Sequence, residues 1–262
     1  MTRGIQRVLA ASGLFAAWAI SVSACLLAEV DGDRAATGEC PAGETCSDLT
    51  PAGLTFVGAY LFDDQSTLRL GPVIVGGRFD LGYYVPGGSA SVEGASVRIE
   101  DTSMLGATPG GGVFGPRDQE SGEALYVVDD YAELTGLRPG TTTVRIVDPA
   151  TGRLFDRLEL EVVAIESVLL INVGDRDREV LYAGEEELLG IRLVTNNGTR
   201  EIRAIDQALE FHAEGDVQPE LMYWDCFSYT VPTGVSEMRF EIVAGGQRFE
   251  RTMRVEARPA AE

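Results

Sequence analysis

The sequence predicts an all-β protein in which two tandem antiparallel β-sandwiches follow a signal peptide and a flexible linker. From Leu54 onward, short apolar runs recur about every 8–12 residues with glycine, proline, asparagine or aspartate between them, a spacing typical of sandwiches. The 31 glycines and 11 prolines favour turns over helices. The length of 262 residues suits two domains of about 100 residues each.

The start of the chain has the features of an export signal. Arg3 and Arg7 form a short basic start, and no charged residue occurs from Val8 to Ala28. A basic start, a short apolar segment and small residues are typical of a secretory signal peptide. The alternative is an uncleaved anchor, because 21 uncharged residues can span a bilayer. Both interpretations predict that the rest of the chain is exported.

A cysteine closes this segment in a specific context. Val22-Ser23-Ala24-Cys25 resembles the lipobox of bacterial lipoproteins. The resemblance implies that residues 1–24 are removed, that Cys25 is acylated, and that the lipid holds the protein at a membrane. In that family an aspartate after the cysteine is associated with the inner membrane, so Leu26 favours the outer membrane. The implied location is the cell envelope, on either its periplasmic or its exposed side.

Residues 25–50 show no sustained helical or strand period, which predicts a flexible tether. In an exported protein the close pair Cys40 and Cys46 predicts a disulfide, worth about 2 kcal/mol in the chain-entropy model. Cys226 is then left over, and we interpret it as a buried thiol.

A hairpin with one buried face is predicted around a turn at residues 148–152. Its apolar positions alternate along both strands: Val144, Ile146, Leu158, Leu160 and Val162. A second hairpin with the same pattern follows, and Met238 lies 94 residues after Val144. Its last strand is offset by one more residue, which a β-bulge would absorb.

Two similar hairpins at this separation indicate two copies of one fold. We predict the copies at residues 51–163 and 164–258, packed end to end. In the second copy, Asn197-Gly198 is a strong signal for a two-residue hairpin turn. Counting outward from that turn pairs Leu193 with Ile202 and Ile191 with Ala204.

The segment before the first hairpin carries a family resemblance. Leu134-Thr135-Gly136-Leu137-Arg138-Pro139-Gly140-Thr141, followed by the strand Thr143-Val144-Arg145-Ile146, resembles bacterial Ig-like (Big) domains. It is also similar to fibronectin type III domains, except that Thr143 occupies the region where that family places a tyrosine. Both resemblances imply Ig-like β-sandwiches and say almost nothing about function.

The charge limits the classes of partner. The chain has a net charge of −20, and removal of Arg3 and Arg7 with the signal peptide brings it near −22. A chain this acidic is repelled by nucleic acid and by anionic lipid, so no nucleic-acid partner is expected. Solubility is the simple interpretation of the acidity. The more specific interpretation is calcium binding by the acidic pairs Asp63/Asp64, Asp129/Asp130 and Asp175/Asp177.

No catalytic residue is predicted. The single histidine, His212, alternates onto the face of Glu210 and points to water, and no Gly-x-Ser-x-Gly nucleophile turn accompanies it. The run Gly110–Gly115 has the spacing of a nucleotide-binding turn, but prolines flank it and no helix follows, which predicts a flexible loop. We expect no cofactor.

Aromatic residues concentrate between Leu221 and Val231. Treated as one strand, this segment puts Trp224 on one face and the predicted binding face, Tyr223, Phe227 and Tyr229, on the other. That face would bind a glycan or a protein partner. The alternatives are an interdomain contact or a strand covered by a loop.

Together these features predict a lipid-anchored envelope protein whose domains serve as a non-enzymatic binding, adhesion or spacer module. A secreted hydrolase and a calcium-stabilised carbohydrate-binding module are the alternatives.

Overall fold

The structure is a computed structural model. It describes residues 28–31, 42–46, 54–58, 60–62, 68–70, 72–85, 92, 94–110, 130–175, 178–195, 200–203, 209–223 and 226–259. Strands and turns account for these residues, and none of them lies in a helix. A membrane-spanning apolar helix is accordingly not found among them.

The described residues form twenty short strands. In chain order they are β1 (Ala28–Asp31), β2 (Thr55–Gly58), β3 (Tyr60–Phe62), β4 (Leu68–Leu70), β5 (Val73–Ile74), β6 (Arg78–Tyr84), β7 (Ser96–Ile99), β8 (Leu105–Gly110), β9 (Asp130–Gly136), β10 (Gly140–Val147), β11 (Leu154–Val163), β12 (Ser167–Asn172), β13 (Val180–Tyr182), β14 (Glu186–Thr195), β15 (Arg200–Arg203), β16 (Glu210–Ala213), β17 (Glu220–Tyr223), β18 (Cys226–Thr230), β19 (Glu237–Ala244) and β20 (Gln247–Glu256).

The first sandwich packs a five-stranded sheet on a four-stranded sheet. Their strand orders are β1-β2-β6-β9-β8 and β5-β11-β10-β7, and β3 pairs with β4 in a separate small sheet. All pairs are antiparallel except β5 with β11. Alternate residues of both sheets fill a core between them, in which Phe56, Leu81, Leu134 and Ile146 are fully buried.

The second sandwich repeats this arrangement. Its sheets have the orders β12-β14-β18-β17 and β13-β20-β19-β16, and β13 is parallel to β20. The strand β15 pairs with the end of β14 beyond β18. Phe211, Phe227, Tyr229 and Phe240 lie in the core.

The two halves therefore share one topology. The order β2-β6-β9-β8 in the first half corresponds to β12-β14-β18-β17 in the second, and β5-β11-β10-β7 corresponds to β13-β20-β19-β16. This is the ABED and GFC arrangement of Ig-like domains, with a short additional strand parallel to the last one. The prediction of an all-β chain with two tandem Ig-like sandwiches is confirmed.

The predicted hairpins have the expected buried faces. Val144 pairs with Leu158 in the first hairpin, and Met238 pairs with Met253 in the second. No bulge absorbs the offset of one residue, because the second hairpin, which holds the extra residue, runs without interruption, and the β-bulge lies in the first hairpin at Ile146/Val147. Two hydrogen bonds to Asp148, from the hydroxyl of Thr151 and from a backbone N–H, fix the first turn and lower the pKa of that carboxyl.

The register predicted around Asn197-Gly198 is also confirmed where the structure describes it. Leu193 pairs with Ile202, and both are buried. The turn itself and Ala204 lie outside the described residues.

The prediction of a tether is wrong for two parts of residues 25–50. Residues 28–31 form β1, which extends the edge of the first sheet by pairing with β2. Residues 42–46 pack on the other sheet. There Glu44 forms an ion pair with Arg145, and the backbone of Cys46 forms an isolated parallel β-bridge with Leu154. The guanidinium of Arg153 also donates to the carbonyl oxygen of Cys46. Backbone groups at the edges of the two sheets pair with the backbone of this segment. This pairing depends on the folded sandwich, so the composition of the segment does not reveal it.

The junction between the sandwiches is short and closely packed. β11 ends at Val163 and β12 begins at Ser167. Ile74 of the first sandwich and Ile165 of the connection are buried in the core of the second. Arg200 forms an ion pair with Glu161 across the junction.

Candidate functional site

The predicted lipidation site precedes the described residues. Cys25 and Cys40 lie outside them, while Cys46 is disulfide-bonded to a partner that also lies outside them. The pairing of Cys40 with Cys46 therefore stays a prediction. β1 begins three residues after Cys25, and three residues span at most about 10 Å. A lipid on Cys25 would thus be joined closely to the first sandwich.

The predicted aromatic binding face is wrong in its secondary structure. Leu221–Val231 is two strands of a hairpin, in which Leu221 pairs with Phe227 and Tyr223 with Cys226. Residues 224–225, including Trp224, lie between these strands and outside the described residues. The aromatic side chains do not alternate along one strand as the prediction assumed.

The predicted face is also wrong in its exposure. Phe227 and Tyr229 are 5% and 1% exposed, because β18 lies between β14 and β17 and turns this side toward the facing sheet. Phe227 packs edge-on against Phe211 at 4.8 Å between ring centroids, and Tyr229 against Phe240 at 5.3 Å. Their role is in the core. The side chain of Tyr223 is not described.

The hydroxyl of Tyr229 and the thiol of Cys226 are both buried. The Tyr229 hydroxyl is buried and has no hydrogen-bond partner, and burial raises the pKa of this group. Cys226 is a buried thiol outside any disulfide, as predicted.

The other predicted features do not converge on a reactive site in the part of the chain that the structure describes. His212 is exposed beside Glu210, with 3.7 Å between imidazole nitrogen and carboxylate oxygen. No group of three or more His, Cys, Asp and Glu side chains that could hold a metal occurs among the described residues. Asp63, Asp64, Asp129 and Asp177 lie outside them. Gly110 belongs to β8, so the loop prediction for residues 110–115 is wrong at its first residue.

A different surface has the composition of a binding site: the outer face of the first sheet at β6, β8 and β9. Leu81, Tyr83 and Leu134 point into the core. Alternation therefore places the residues between them on the outer face. We call this surface the tyrosine face and define it by Asp80, Gly82, Tyr84, Gly110, Tyr131 and Glu133.

Tyr131 lies between two glycines of the neighbouring strands. It pairs with Gly82 on β6 and with Gly110 on β8. A Cβ atom placed on Gly110 would lie 2.1, 2.4 and 2.4 Å from three adjacent carbons of the Tyr131 ring. Such near-equal distances mean that the glycine faces the plane of the ring rather than its edge. The face of the Tyr131 ring therefore covers the position that a side chain on residue 110 would occupy.

The second tyrosine lies diagonally across the same surface. Tyr84 is two residues beyond Gly82 on β6, and Gly82 is the partner of Tyr131. Diagonal neighbours on one face of a sheet lie about 7–8 Å apart, within the reach of aromatic rings. Both tyrosines are partly exposed.

Two carboxylates stand next to the aromatic part of the face. Asp80 and Glu133 are direct cross-strand partners, one step along the strands from Gly82 and Tyr131. Like charges in this relation destabilise a sheet. Arg78 offsets part of the repulsion through an ion pair with Glu133 at 3.1 Å. The hydroxyl-bearing Thr108 is the partner of Glu133 on the other side.

Sequence reasoning missed this surface because it exists only across strands. Tyr84 and Tyr131 are 47 positions apart, and no local pattern joins them. The signal available was the alternation of Leu81 and Tyr83, which leaves Tyr84 on the opposite side if this segment forms a strand. The glycines that make the surface flat become meaningful only when β6, β8 and β9 are aligned.

Comparison with protein-family models gives no match, and comparison with curated protein sequences gives none either. Solved structures give weak similarities over both sandwiches. One is FdeC, an Escherichia coli adhesin, with 14% identity over 71% of this chain and 60% of that one and a TM-score of 0.27. Another is domains 5-6 of the S-layer protein SbsC, with 14% identity over 78% and 100% of the chains and a TM-score of 0.26.

A third is invasin, a bacterial integrin-binding protein, with 16% identity over 78% and 46% of the chains and a TM-score of 0.25. The chain thus spans 60% of FdeC and 46% of invasin. The sheet topology defines the class of protein as one with tandem Ig-like sandwiches.

Proposed function

We propose that this protein is a lipid-anchored protein of the cell envelope, held at the outer membrane through Cys25, and that it acts as a non-enzymatic binding module. The proposal combines the lipobox resemblance at Val22–Cys25 with two folded domains of high negative charge. Two sandwiches of this kind serve as scaffolds, and their function resides in a surface they carry.

The observation that carries the binding role is the tyrosine face. The ring of Tyr131 covers a glycine and stands beside a pair of like-charged carboxylates. Stability alone would favour an alternating-charge or β-branched surface at these positions. An aromatic ring with polar acceptors next to it provides apolar contact area and directed hydrogen bonds to a partner.

The arrangement of the chain supports presentation of this surface at a membrane. β1 begins three residues after Cys25, so the first sandwich stays close to the lipid. The sandwiches share a buried junction through Ile74 and Ile165, which limits their independent movement. The proposed module is thus a two-domain unit attached directly to its anchor rather than through a long tether.

Cross-linking in intact cells tests the proposal. Wild-type protein, Tyr131→Leu and His212→Ala would be cross-linked and purified, with Cys25→Ala as the unanchored control. We expect the wild type and His212→Ala to retain the same partner, protein or glycan, and Tyr131→Leu to lose it. Equal recovery of that partner with Tyr131→Leu would contradict the assignment of binding to the tyrosine face.

A further inference from the structure

The strand nearest to Cys25 begins on the side of the first sandwich that faces the junction. β1 pairs antiparallel with β2, and β2 pairs antiparallel with β6, so β1 and β6 run in the same direction. β6 begins at Arg78, two residues after Gly76, which packs against Gly245 of the second sandwich. Ala28, the first residue of β1, therefore lies at the end of its strand that is nearer the second sandwich.

A series of neighbouring strands also joins β1 to the second sandwich. β4 lies beside β1, and β4 pairs with β3. β3 lies against β15 of the second sandwich. These four strands thus follow one side of the two-domain unit across the junction. We call this side the anchor side and define it by Ala28–Asp31, Tyr60–Phe62, Leu68–Leu70 and Arg200–Arg203.

We propose that the anchor side rests on the headgroups of the bilayer that holds the lipid, so that both sandwiches lie along the membrane rather than stand end-on upon it. This inference rests on the proposed function, because it requires lipid on Cys25. It adds a second contact with the membrane, which both domains share.

The short link to the lipid imposes this orientation. Ala28 follows Cys25 by three residues, which span at most about 10 Å. The sandwiches are longer than this link, because β11 and β20 each hold ten residues and so extend about 33 Å. The link starts near the junction, with one sandwich on either side. An upright unit would therefore push one charged sandwich into the hydrocarbon core of the bilayer, at a high cost in free energy.

The charge of the anchor side is compatible with a lipid surface. Its four strands hold three acidic and three basic residues. The whole chain, in contrast, has 41 acidic and 21 basic residues. The net charge of −20 is therefore carried entirely by the rest of the chain, which anionic lipid repels. A side without net charge can approach the headgroups while the acidic remainder stays away from them.

Neutron reflectometry tests this orientation on the lipidated full chain, bound to a supported bilayer of phosphatidylethanolamine and phosphatidylglycerol. A unit that lies on its anchor side forms a protein layer about as thick as five strands are wide, roughly 25–30 Å. An upright unit forms a layer of about 65 Å or more, because two sandwiches are stacked. We expect the thinner layer for the wild-type protein.

A longer link provides the matched variant. Insertion of about twenty glycine and serine residues between Leu27 and Ala28 adds a root-mean-square reach of about 25 Å and leaves the sequence of every strand unchanged. We expect the layer of this variant to be at least about 1.5-fold thicker, because the sandwiches are then free to turn away from the bilayer. An equally thin layer would show that the short link does not impose the orientation, and would overturn the inference.

Energy transfer to an acceptor dye in the headgroups provides a second measurement. Ala150→Cys and Ser236→Cys, each in Cys226→Ala, place a donor dye at an exposed turn remote from the junction, one on each sandwich. In vesicles of the same two lipids, we expect similar transfer from both positions. Strong transfer from one position and little from the other would mean that the unit stands upright.

The outcomes separate this inference from the proposed function. A lipidated wild type that forms a layer of about 65 Å would overturn the inference and leave the proposed anchor intact. Cys25→Ala should form no layer, since its attachment depends on the lipid. A wild type that carries no lipid and forms no layer would remove both.

Discussion

Gly76 of the first sandwich and Gly245 of the second approach so closely that a Cβ atom on Gly76 would lie 2.2 Å from the carbonyl oxygen of Gly245. In the other direction, a Cβ on Gly245 would lie 2.3 Å from the carbonyl oxygen of Val75. Both glycines have positive φ, 76° and 56°. The turn between β19 and β20 therefore packs backbone to backbone against the turn that precedes β6, and neither position has room for a side chain.

We expect Gly245→Ala to loosen the junction. The substitution adds left-handed strain of about 1–2 kcal/mol and a methyl group that cannot fit against Val75. The melting temperature should fall, and small-angle scattering should show a larger radius of gyration as the sandwiches separate.

Gly246→Ala is the matched control for this experiment. Gly246 has a similar φ of 73°, but nothing lies within 4 Å of its Cβ position. The melting temperature of Gly246→Ala should therefore fall only by the effect of left-handed strain, and its radius of gyration should not change. Identical behaviour of the two variants would mean that the glycine contact does not hold the sandwiches together.

A buried ion pair ties the start of β14 to the segment just before β13. Arg178 donates two hydrogen bonds to Glu187, at 2.8 and 2.5 Å, and these raise the pKa of the guanidinium. Asn172 and the backbone N–H of Tyr182 donate to the same carboxylate. The two charged side chains are only 14% and 6% exposed.

We predict that Glu187→Ala destabilises the second sandwich by about 3–5 kcal/mol, because it leaves the charge of Arg178 largely buried without its partner. Chemical denaturation measures the change in the free energy of unfolding. The exposed pair Arg258 and Glu185, at 3.2 Å, provides the comparison, and Glu185→Ala should cost about 1 kcal/mol or less. Similar losses for both glutamates would show that burial does not set the strength of the Glu187 pair.

The buried hydroxyl of Tyr229 predicts that the stability of the fold depends on pH in the alkaline range. Burial raises the pKa of Tyr229 above the ordinary value of 10.0, so the folded state keeps its proton where the unfolded state has lost it. Stability from this group is then complete below pH 10 and falls as the pH rises above it. We expect Tyr229→Phe to be as stable as the wild type at pH 7, or slightly more so, because the hydroxyl has no partner.

The same variant should lose less stability than the wild type between about pH 9.5 and 11, measured as the difference in melting temperature between the two proteins. Parallel curves for wild type and Tyr229→Phe would show that the hydroxyl reaches solvent or a partner. The comparison cancels the other seven tyrosines of the chain, which both proteins share.

The fold followed from the sequence where local pattern decides structure. The pairing of Leu193 with Ile202 was set by counting from Asn197-Gly198, and the buried face of the first hairpin by the alternation around Val144. In each case a period of two and a turn fix both partners.

The sequence failed where pairing is distant. The segment from Leu221 to Val231 contains no glycine or proline to mark a turn, so a tight hairpin was taken for one strand and its core aromatics for a surface. β1 is too short for its composition to reveal a strand, and it forms because β2 offers an unpaired edge. The tyrosine face depends on three strands whose alignment only the fold supplies.

Metabolic labelling with a fatty acid tests whether lipid on Cys25 holds this two-domain module in the cell envelope. The full chain and Cys25→Ala would be expressed in a bacterial host fed an alkyne fatty acid, with Cys226→Ala as a control that leaves the lipobox intact. We predict label in the wild type and in Cys226→Ala, recovered with the outer membrane, and none in Cys25→Ala. Absence of label from the wild type, or its persistence in Cys25→Ala, would contradict lipid attachment at Cys25.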